Sequence, residues 1–196
     1  MHFRDASRGW VVGAYNLVFE TRDGGAHWES IGARLDNPRA LHLYAIRAQG
    51  ESVFIVGEQG QMHRSLDGGQ TFTALPSPYK GSWFALALGG DGTLVAAGMR
   101  GNVFRSADGG DNWQPVLGAP PLSVMSATAL PQGGVLLANQ AGQLFASQAG
   151  ATLKPLAAPP MPPLAGLLIL KDRSLLVLGA GGALRVPAPD YNGSSK

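Results

Sequence analysis

The sequence has 196 residues, enough to bury a hydrophobic core in one large domain or two small ones. Its 45% hydrophobic and 14% charged content is typical of a globular protein and excludes a disordered chain. A net charge of +2 is too small to predict nucleic-acid binding, and the absence of cysteine excludes disulfide bonds and thiolate metal sites.

The N-terminal stretch MHFRDASRGWVVG has no charged region followed by an apolar run, so it predicts no signal peptide in this chain. The next feature along the chain is a box of the form Ser/Thr-x-Asp-Gly-Gly-x-x-Trp/Phe. It occurs at residues 21–28, 65–72 and 106–113, with its aspartates 44 and then 41 residues apart. The chain therefore contains an internal repeat of about 41 residues.

A second element precedes each box, consisting of a short apolar run that ends in glycine, a small turn and another apolar run. It occurs five times, and its second glycines are 41, 41 and 40 residues apart. These glycines are Gly60, Gly101, Gly142 and Gly182, with Asn16 in the same role in the first copy. Five copies of the repeat are therefore present.

Each copy reads as four short strands separated by turns. In the second copy the runs LYAIRA, SVFIVG, QMHRS and TFTALP are rich in β-branched or aromatic residues and are bounded by Gly, Asp or Pro. Four-stranded repeats of this length predict an all-β fold, a β-propeller of about five blades in residues 1–187. The predicted repeats are 1–32, 43–76, 83–117, 124–157 and 164–187, followed by a polar tail at 188–196.

The fifth repeat contains the most apolar segment, residues 164–184. Its two runs of about seven apolar residues flank the polar turn Lys171–Ser174, so the segment predicts a hairpin and not a membrane span.

The box predicts a structural turn, closed by its own hydrogen bonds, between the third and fourth strands of a blade. Its aspartate is placed to accept hydrogen bonds from backbone N–H groups of its own turn, its glycines allow positive φ, and its aromatic ring is expected to bury against a neighbouring blade. The spacing lacks the alternating oxygen ligands of a calcium loop, so we expect no metal. The structural residues are Asp23, Trp28, Asp67, Phe72, Asp108 and Trp113.

The box matches the Asp-box, or bacterial neuraminidase repeat. Together with the GWVVG stretch that ends at Gly13, it resembles the photosystem II assembly and stability factor family of propellers. The resemblance covers residues 3–186 and is strongest over 3–117. In the fourth copy the box decays, with Ala149 in place of the aspartate, and in the fifth Pro187 replaces the serine.

The number of repeats in this chain is smaller than the number of blades that the resemblance implies. The resemblance implies seven blades, whereas this chain offers five repeats and no recognisable fourth strand in the last one. We therefore expect a truncated or internally started form of a longer protein. A closed five-bladed ring is the first alternative, and a homodimer of two arcs joined through open blade edges is the second.

The residues of a catalytic or cofactor site are scattered in this sequence. A sialidase needs an arginine cluster, a Tyr/Glu nucleophile pair and an acidic proton donor. The candidates are Arg4, Arg8, Arg47, Tyr44, Glu51 and Glu58, and no Tyr–Glu pairing follows from their positions. Residues 176–184 fail the dinucleotide-loop pattern because Leu184 takes its last glycine position. The four histidines lack metal-ligand spacing, so we expect no catalytic residues, cofactor or metal.

Surface recognition is the remaining interpretation. Propellers usually bind partners at the face made by the turns between the second and third strands and by the links between blades. Arginine and aromatic side chains in those loops suit a protein partner. The candidate binding residues are Tyr15, Arg34, Arg39, His42, Glu58, Tyr79, Lys80, Trp83 and Arg100.

The resemblance implies a non-catalytic scaffold or adaptor that binds another protein, such as a membrane protein under assembly, outside the cytoplasm. The alternative is a carbohydrate-binding or sialidase-like propeller. Three arginines around a central channel would favour that alternative. The inner runs LYAIRA and WFALALG predict a channel lined mainly by small and apolar residues instead.

Overall fold

The computed structural model describes residues 1–148, 152–159 and 161–189. In this part of the chain the secondary structure is β-strand with four short 3₁₀ turns, and the strands form five antiparallel sheets. Within each sheet the spatial order of the strands follows the chain order. The predicted all-β propeller is confirmed.

The first three sheets, blades 1 to 3, have four strands each. Blade 1 contains β1 (His2–Phe3), β2 (Gly9–Val12), β3 (Val18–Thr21) and β4 (Glu29–Ser30). Blade 2 contains β5 (Leu43–Gln49), β6 (Ser52–Gly57), β7 (Met62–Ser65) and β8 (Thr73–Ala74). Blade 3 contains β9 (Trp83–Leu88), β10 (Leu94–Gly98), β11 (Val103–Ser106) and β12 (Gln114–Pro115).

The last two sheets differ in their outer strand. Blade 4 contains β13 (Val124–Ala129), β14 (Val135–Asn139), β15 (Leu144–Ser147) and β16 (Lys154–Pro155). Blade 5 contains β17 (Leu164–Ile169), β18 (Leu175–Gly179) and β19 (Gly182–Val186), and no fourth strand among its described residues. The decayed box at Ala149 and most of the predicted polar tail, residues 190–196, lie outside the described residues.

The hydrophobic core lies between the blades. Four clusters of buried side chains fill the four seams between consecutive blades, with Trp10, Ile46, Leu137 and Leu175 each fully buried. Among the described residues no such cluster joins blade 5 to blade 1. Stacking of neighbouring blades thus buries both faces of blades 2, 3 and 4.

The two end blades each leave one apolar face uncovered. On blade 5, Leu168 and Leu178 are 53% and 38% exposed. On blade 1, the Trp28 ring is 37% exposed and lies edge-on to Phe3, with ring centroids 6.0 Å apart. In a seam between two blades such side chains would be covered.

The chain course places two kinds of loop at opposite ends of the strands. One end carries the hairpins between first and second strands and the box turns. The other end, called the loop face below, carries the turns between second and third strands and the links between blades, such as residues 31–42 and 75–82. The loops that were predicted to bind partners therefore lie at the same end of the strands.

The first strand of blades 2 to 5 has an irregularity where it leaves the loop face. Its pairing with the second strand shifts by one residue, as in a β-bulge, so one residue per blade has no partner opposite it. These residues are Tyr44, Phe84, Met125 and Ala165. The bulge places them near the start of the first strand, next to the link that enters each blade from the loop face.

The box turns have the geometry of a closed hydrogen-bonded loop. Asp108 Oδ1 accepts a bond from the backbone N–H of Asn112 at 2.9 Å and from Ser106 Oγ at 2.8 Å. The same serine oxygen accepts from the N–H of Gly110 at 2.8 Å. The Asp67 and Asp23 turns repeat this arrangement. Side-chain oxygens within the box thus accept hydrogen bonds from the backbone N–H groups of the turn.

Candidate functional site

The turns between second and third strands in blades 1 to 3 each place one exposed side chain on the loop face. Tyr15, Gln59 and Arg100 occupy equivalent positions and have left-handed backbone conformations, with φ of 54°, 52° and 57°. Such a conformation is uncommon outside glycine, and the three residues hold it because each turn is closed by backbone bonds. All three side chains are exposed.

Aromatic rings run from one of these turns towards the central axis. The Tyr15 ring lies 4.8 Å from the His42 ring, and His42 stacks on Tyr44 at 6.4 Å with an interplanar angle of 9°. Tyr44 then meets Phe84 edge-on at 5.3 Å. We call Tyr15, His42, Tyr44 and Phe84 the aromatic stripe.

Two rings of the aromatic stripe, Tyr15 and Tyr44, are open to solvent, and His42 and Phe84 are half-buried. Tyr15 is 73% exposed and Tyr44 is 44% exposed. Because rings of this size rarely stay uncovered on a monomer without a binding role, the stripe is a candidate interaction surface.

Glu58 holds the middle of the aromatic stripe in place. Its carboxylate Oε2 accepts the backbone N–H of His42 at 3.1 Å and lies 4.0 Å from His42 Nε2. Its own N–H donates to the carbonyl of His42 at 2.8 Å. Burial raises the pKa of Tyr44, and the negative charge of Glu58 raises it further, so Tyr44 stays a neutral phenol that can donate a hydrogen bond.

Charged and polar groups border the aromatic stripe. Arg39 is exposed and donates from Nη1 to Gln59 Oε1 at 2.9 Å. Arg100 and Lys80 are exposed on the neighbouring loops. The structure thus brings Tyr15, His42 and Glu58 together with Arg39 nearby, as expected for residues of one face.

Two predicted binding residues do not reach this surface. Trp83 is fully buried, its Nε1 donates to Ser77 Oγ at 3.1 Å, and Tyr79 packs on its ring at 5.4 Å. The prediction that Trp83 contacts a partner is wrong, because Trp83 is the first residue of β9 and points into the seam between blades 2 and 3. Tyr79 is itself half-buried by that contact.

Arg34 is the second residue that points away from the loop face. Its guanidinium enters the seam between blades 1 and 2, where Nη1 donates to the carbonyl of Gly69 at 3.0 Å and lies 3.6 Å from Glu20. Glu20 has a side chain only 1% exposed and also pairs with Arg8 at 2.8 Å. Arg34 is therefore part of a buried charge cluster, and its prediction as a loop-face residue is wrong.

The sequence interpretation did not include Tyr44 and Phe84 in the binding surface. Strand alternation alone would turn Tyr44 towards a blade seam, whereas the bulge leaves Tyr44 without a partner in the ladder and 44% exposed. A signal was available, since an aromatic residue stands second in both inner runs, LYAIRA and WFALALG.

The arginines considered for a sialidase are separated. Arg4 and Arg8 pair with Glu51 and Glu20 at the box end of blades 1 and 2. Arg47 lies on β5, donates to the carbonyls of Ile46 at 2.8 Å and Ala127 at 3.4 Å, and has its pKa lowered by burial. Across the described ranges no group of three His, Asp or Glu could hold a metal ion.

Comparison with known proteins gives the family. Residues 1–147 match the family described as Photosynthesis system II assembly factor YCF48. The chain belongs to this family. The predicted resemblance to photosystem II assembly factors is confirmed.

Two relatives carry the same family name. The chain is 32% identical over 114 residues to a protein of Synechococcus sp. (strain CC9902) named Photosystem II assembly lipoprotein Ycf48, covering 57% of this chain and 34% of the relative. It is 26% identical over 132 residues to a protein of Synechococcus sp. (strain JA-2-3B'a(2-13)) named Photosystem II assembly protein Ycf48, covering 66% and 39%. The chain thus spans little more than a third of these relatives.

Solved structures share the fold. A structure described as YCF48 bound to D1 peptide has a TM-score of 0.71 at 23% identity and covers 95% of this chain and 65% of that one. YCF48 from Cyanidioschyzon merolae has a TM-score of 0.71 at 21% identity, covering 99% and 67%. An ancestral GH74 enzyme also reaches 0.71 at 18% identity, covering 96% and 27%. At these identities the likeness shows the fold alone.

In the ranges described above, no helix is long and apolar enough to cross a bilayer.

Proposed function

We propose that this chain is a non-catalytic propeller that binds another protein on its loop face, as a scaffold or assembly factor. The observation that carries the proposal is the partly exposed aromatic stripe on the face that also carries the exposed Arg39 and Arg100. Aromatic rings and arginines are the side chains that contribute most to protein interfaces. Membership of the assembly-factor family supports the same function.

The partner we propose is an extended segment of a membrane protein under assembly. A structural relative is described as bound to a D1 peptide, which supports a peptide ligand. The stripe is a row of four rings, and a row of this kind suits an extended peptide better than a flat protein surface. The proposed site of action is outside the cytoplasm, supported by the lipoprotein name of one relative.

The absence of catalysis is part of the proposal. A tyrosine nucleophile would need a lowered pKa, whereas the pKa of Tyr44 is raised. Arg4 and Arg8 are neutralised by carboxylates and are not turned to a common ligand. Both observations argue against a sialidase reaction on this chain.

Carbohydrate binding without hydrolysis is the second candidate function. Stacked aromatic rings also bind sugar faces, and GH74 propellers share the fold at 18% and 14% identity. This candidate uses the same stripe, so a direct comparison of ligands separates the two.

The test is binding of overlapping D1 peptides and of xyloglucan oligosaccharides to the 196-residue chain, measured by calorimetry. We expect a peptide to bind and the affinity to fall at least tenfold in Tyr44→Ala and Phe84→Ala. Leu66→Ala is the control, because Leu66 is 65% exposed at the opposite, box end. Binding of the oligosaccharide alone would replace the proposal with the second candidate, and equal peptide affinity in all variants would refute the stripe as the site.

A further inference from the structure

The link from blade 1 to blade 2 contains a buried asparagine amide that makes all the hydrogen bonds available to it. Asn37 is only 6% exposed. Its Nδ2 donates to the carbonyl of Leu41 at 2.9 Å and to Asn16 Oδ1 at 3.1 Å. Its Oδ1 accepts from the N–H of Leu41 at 3.1 Å and from Gln61 Nε2 at 3.4 Å. Because a primary amide has two N–H donors and two acceptor lone pairs, the amide of Asn37 is saturated.

The three partners of Asn37 belong to three different segments of the loop face. Each partner is next in sequence to a residue or turn of that surface. These neighbours are Tyr15 before Asn16, His42 after Leu41, and the turn Glu58–Gly60 before Gln61. One buried amide therefore joins the three segments from which the first half of the aromatic stripe is built.

The bonds between Asn37 and Leu41 close a tight loop. The side-chain amide pairs with both the N–H and the carbonyl of Leu41, as a backbone peptide group does in a β-bridge. The N–H of Ala40 also donates to the backbone carbonyl of Asn37 at 2.9 Å. Arg39 lies within this loop, is exposed, and donates to Gln59 Oε1 at 2.9 Å. The loop thus presents Arg39 in a fixed position beside the turn of blade 2.

Asn16 departs from the repeat at the position where it contacts Asn37. The equivalent position is glycine in the other four blades, at Gly60, Gly101, Gly142 and Gly182. Asn16 keeps the left-handed backbone of this position, with a φ of 61°, although glycine adopts it at lower cost. Its Nδ2 donates to the carbonyl of Gly32 at 3.0 Å and its Oδ1 accepts from Asn37. Blade 1 thus carries an amide side chain where the turn itself requires none.

Gln61 is oriented from its other side by a buried histidine. His63 is 1% exposed, and its Nε2 lies 2.6 Å from Gln61 Oε1. Since Gln61 Oε1 can only accept, His63 donates this bond, and Gln61 Nε2 is turned to Asn37. The network therefore begins on β7 and ends at the turn that carries Tyr15.

We propose that Asn37 is a positioning residue of the binding surface, whose amide holds Tyr15, Arg39 and His42 in their binding arrangement before a partner arrives. The inference rests on the proposed function, because it concerns the same surface. Asn37 is buried and acts only through these neighbours. A surface that is held in its bound arrangement loses less conformational freedom on binding, and so it binds more tightly.

Asn16→Gly is the variant that separates positioning from folding. It gives the turn of blade 1 the glycine of the other blades, so the left-handed backbone is kept while the bond to Asn37 is lost. We expect the Tm to stay within about 3 °C of the parent chain. The affinity for the tightest-binding D1 peptide, measured by calorimetry, should fall about fivefold. An unchanged affinity would overturn the proposal.

Asn37→Ala and Asn139→Ala form a matched pair. Asn139 is a fully buried amide in blade 4, and its Oδ1 accepts from the N–H groups of Ala141 and Gln143 at 3.0 Å each. Both variants should lower the Tm, whereas only Asn37→Ala should weaken peptide binding. Equal weakening in both would mean that lost stability accounts for the effect, which would overturn the proposal. If Asn37→Ala does not fold, Asn16→Gly decides the question.

A double-mutant cycle tests whether Asn16 and Asn37 act through the stripe. In a chain that already carries Tyr15→Ala, Asn16→Gly should change the affinity for the same peptide by less than twofold, because the ring that the network holds is absent. Additive effects of Tyr15→Ala and Asn16→Gly would contradict the proposal.

The free protein gives a readout that needs no peptide. The Tyr15 ring lies 4.8 Å from the His42 ring, so it shifts the NMR signals of the imidazole protons. In Asn16→Gly we expect these signals to move towards those of an unstructured histidine and the amide of Leu41 to exchange about tenfold faster. Unchanged signals and exchange would overturn the proposal. If these changes occur but no D1 peptide binds the parent chain, the proposed function is refuted while Asn37 is supported as the residue that holds the stripe.

Discussion

Arg64 of blade 2 donates a hydrogen bond from Nη1 to the carbonyl of Gly109 in blade 3, at 2.9 Å. The same nitrogen lies 3.0 Å from Asp111 Oδ1. Arg8 of blade 1 makes the matching bond to Gly68 in blade 2. The box turn of one blade is thus held by an arginine of the blade before it, which links the turn to the angle between blades.

Removing Arg64 should weaken this link measurably. Arg64→Ala leaves the Gly109 carbonyl and Asp111 without their partner, and we expect the free energy of unfolding to fall by about 2 kcal/mol. Urea unfolding followed by tryptophan fluorescence measures the change. Arg39→Ala, which removes an exposed arginine, should cost less than about 0.5 kcal/mol. Equal losses in the two variants would contradict a role for Arg64 in blade packing.

The box aspartates should make the fold acid-sensitive in a narrow range. The backbone N–H of Asn112 lowers the pKa of Asp108 from 3.8 to about 2, and similar bonds lower the pKa values of Asp23 and Asp67. A carboxylate whose pKa is lower in the folded than in the unfolded state stabilises the fold at pH values above the unfolded pKa. This stabilisation is lost as the pH falls from the unfolded pKa through the folded pKa. We expect a fall in Tm between pH 4 and 2, in addition to a smaller decline from pH 7 to 5 because burial lowers the pKa values of His2 and His63.

A variant separates Asp108 from the other carboxylates. Asp108→Asn cannot be protonated in this range, so its Tm should fall less steeply than that of the wild type between pH 4 and 2. Gln132→Ala, at an exposed position outside the boxes, is the control and should keep the wild-type slope. An unchanged slope in Asp108→Asn would show that its carboxylate is not linked to folding.

Close backbone approach at the loop face should make one glycine irreplaceable. Gly101 has a φ of 73°, and a Cβ there would lie 2.0 Å from the carbonyl oxygen of Pro120. Gly101→Ala should therefore lower the free energy of unfolding by about 2 to 4 kcal/mol, from strain and overpacking together. Gly90 has no atom within 4 Å of such a Cβ, so Gly90→Ala should be nearly neutral in the same urea titration.

The uncovered faces of the end blades should drive association. Leu168 and Leu178 on blade 5 and Trp28 on blade 1 are the kinds of side chain that seams bury elsewhere in this fold. Light scattering at tens of micromolar should give a mass above the 20.4 kDa of one chain, and the homodimer is the simplest such species. Leu168→Asp combined with Leu178→Asp should return the mass to one chain.

The control for association is Leu66→Asp. Leu66 is 65% exposed but belongs to a box turn and not to an end face. A single-chain mass for the unmodified protein would rule out the homodimer at that concentration.

The repeat allowed the fold to be predicted from sequence. Asp67 and Gly69 recur in phase with Asp108 and Gly110. A turn of this kind depends only on residues close together in the chain, so its sequence predicts it directly. The candidate binding surface was harder to predict. Arg34 and Trp83 both belong to loop-face segments of the sequence. The Arg34 side chain turns instead to the buried carboxylate of Glu20 and to the Gly69 carbonyl of the next blade. The Trp83 side chain turns into the seam, where it packs on residues of blade 2. Contacts between distant residues decide such positions.

The bulge at the start of the inner strands leaves one residue of each of blades 2 to 5 outside the pairing of the sheet. Tyr44, Phe84, Met125 and Ala165 occupy one equivalent position in four blades, yet one is a phenol, one a phenyl ring, one a thioether and one a methyl group. The extra residue has no partner in the ladder, so its identity is free of the packing that fixes Ile46 or Leu137. Such a position can be varied by design one blade at a time while the scaffold persists.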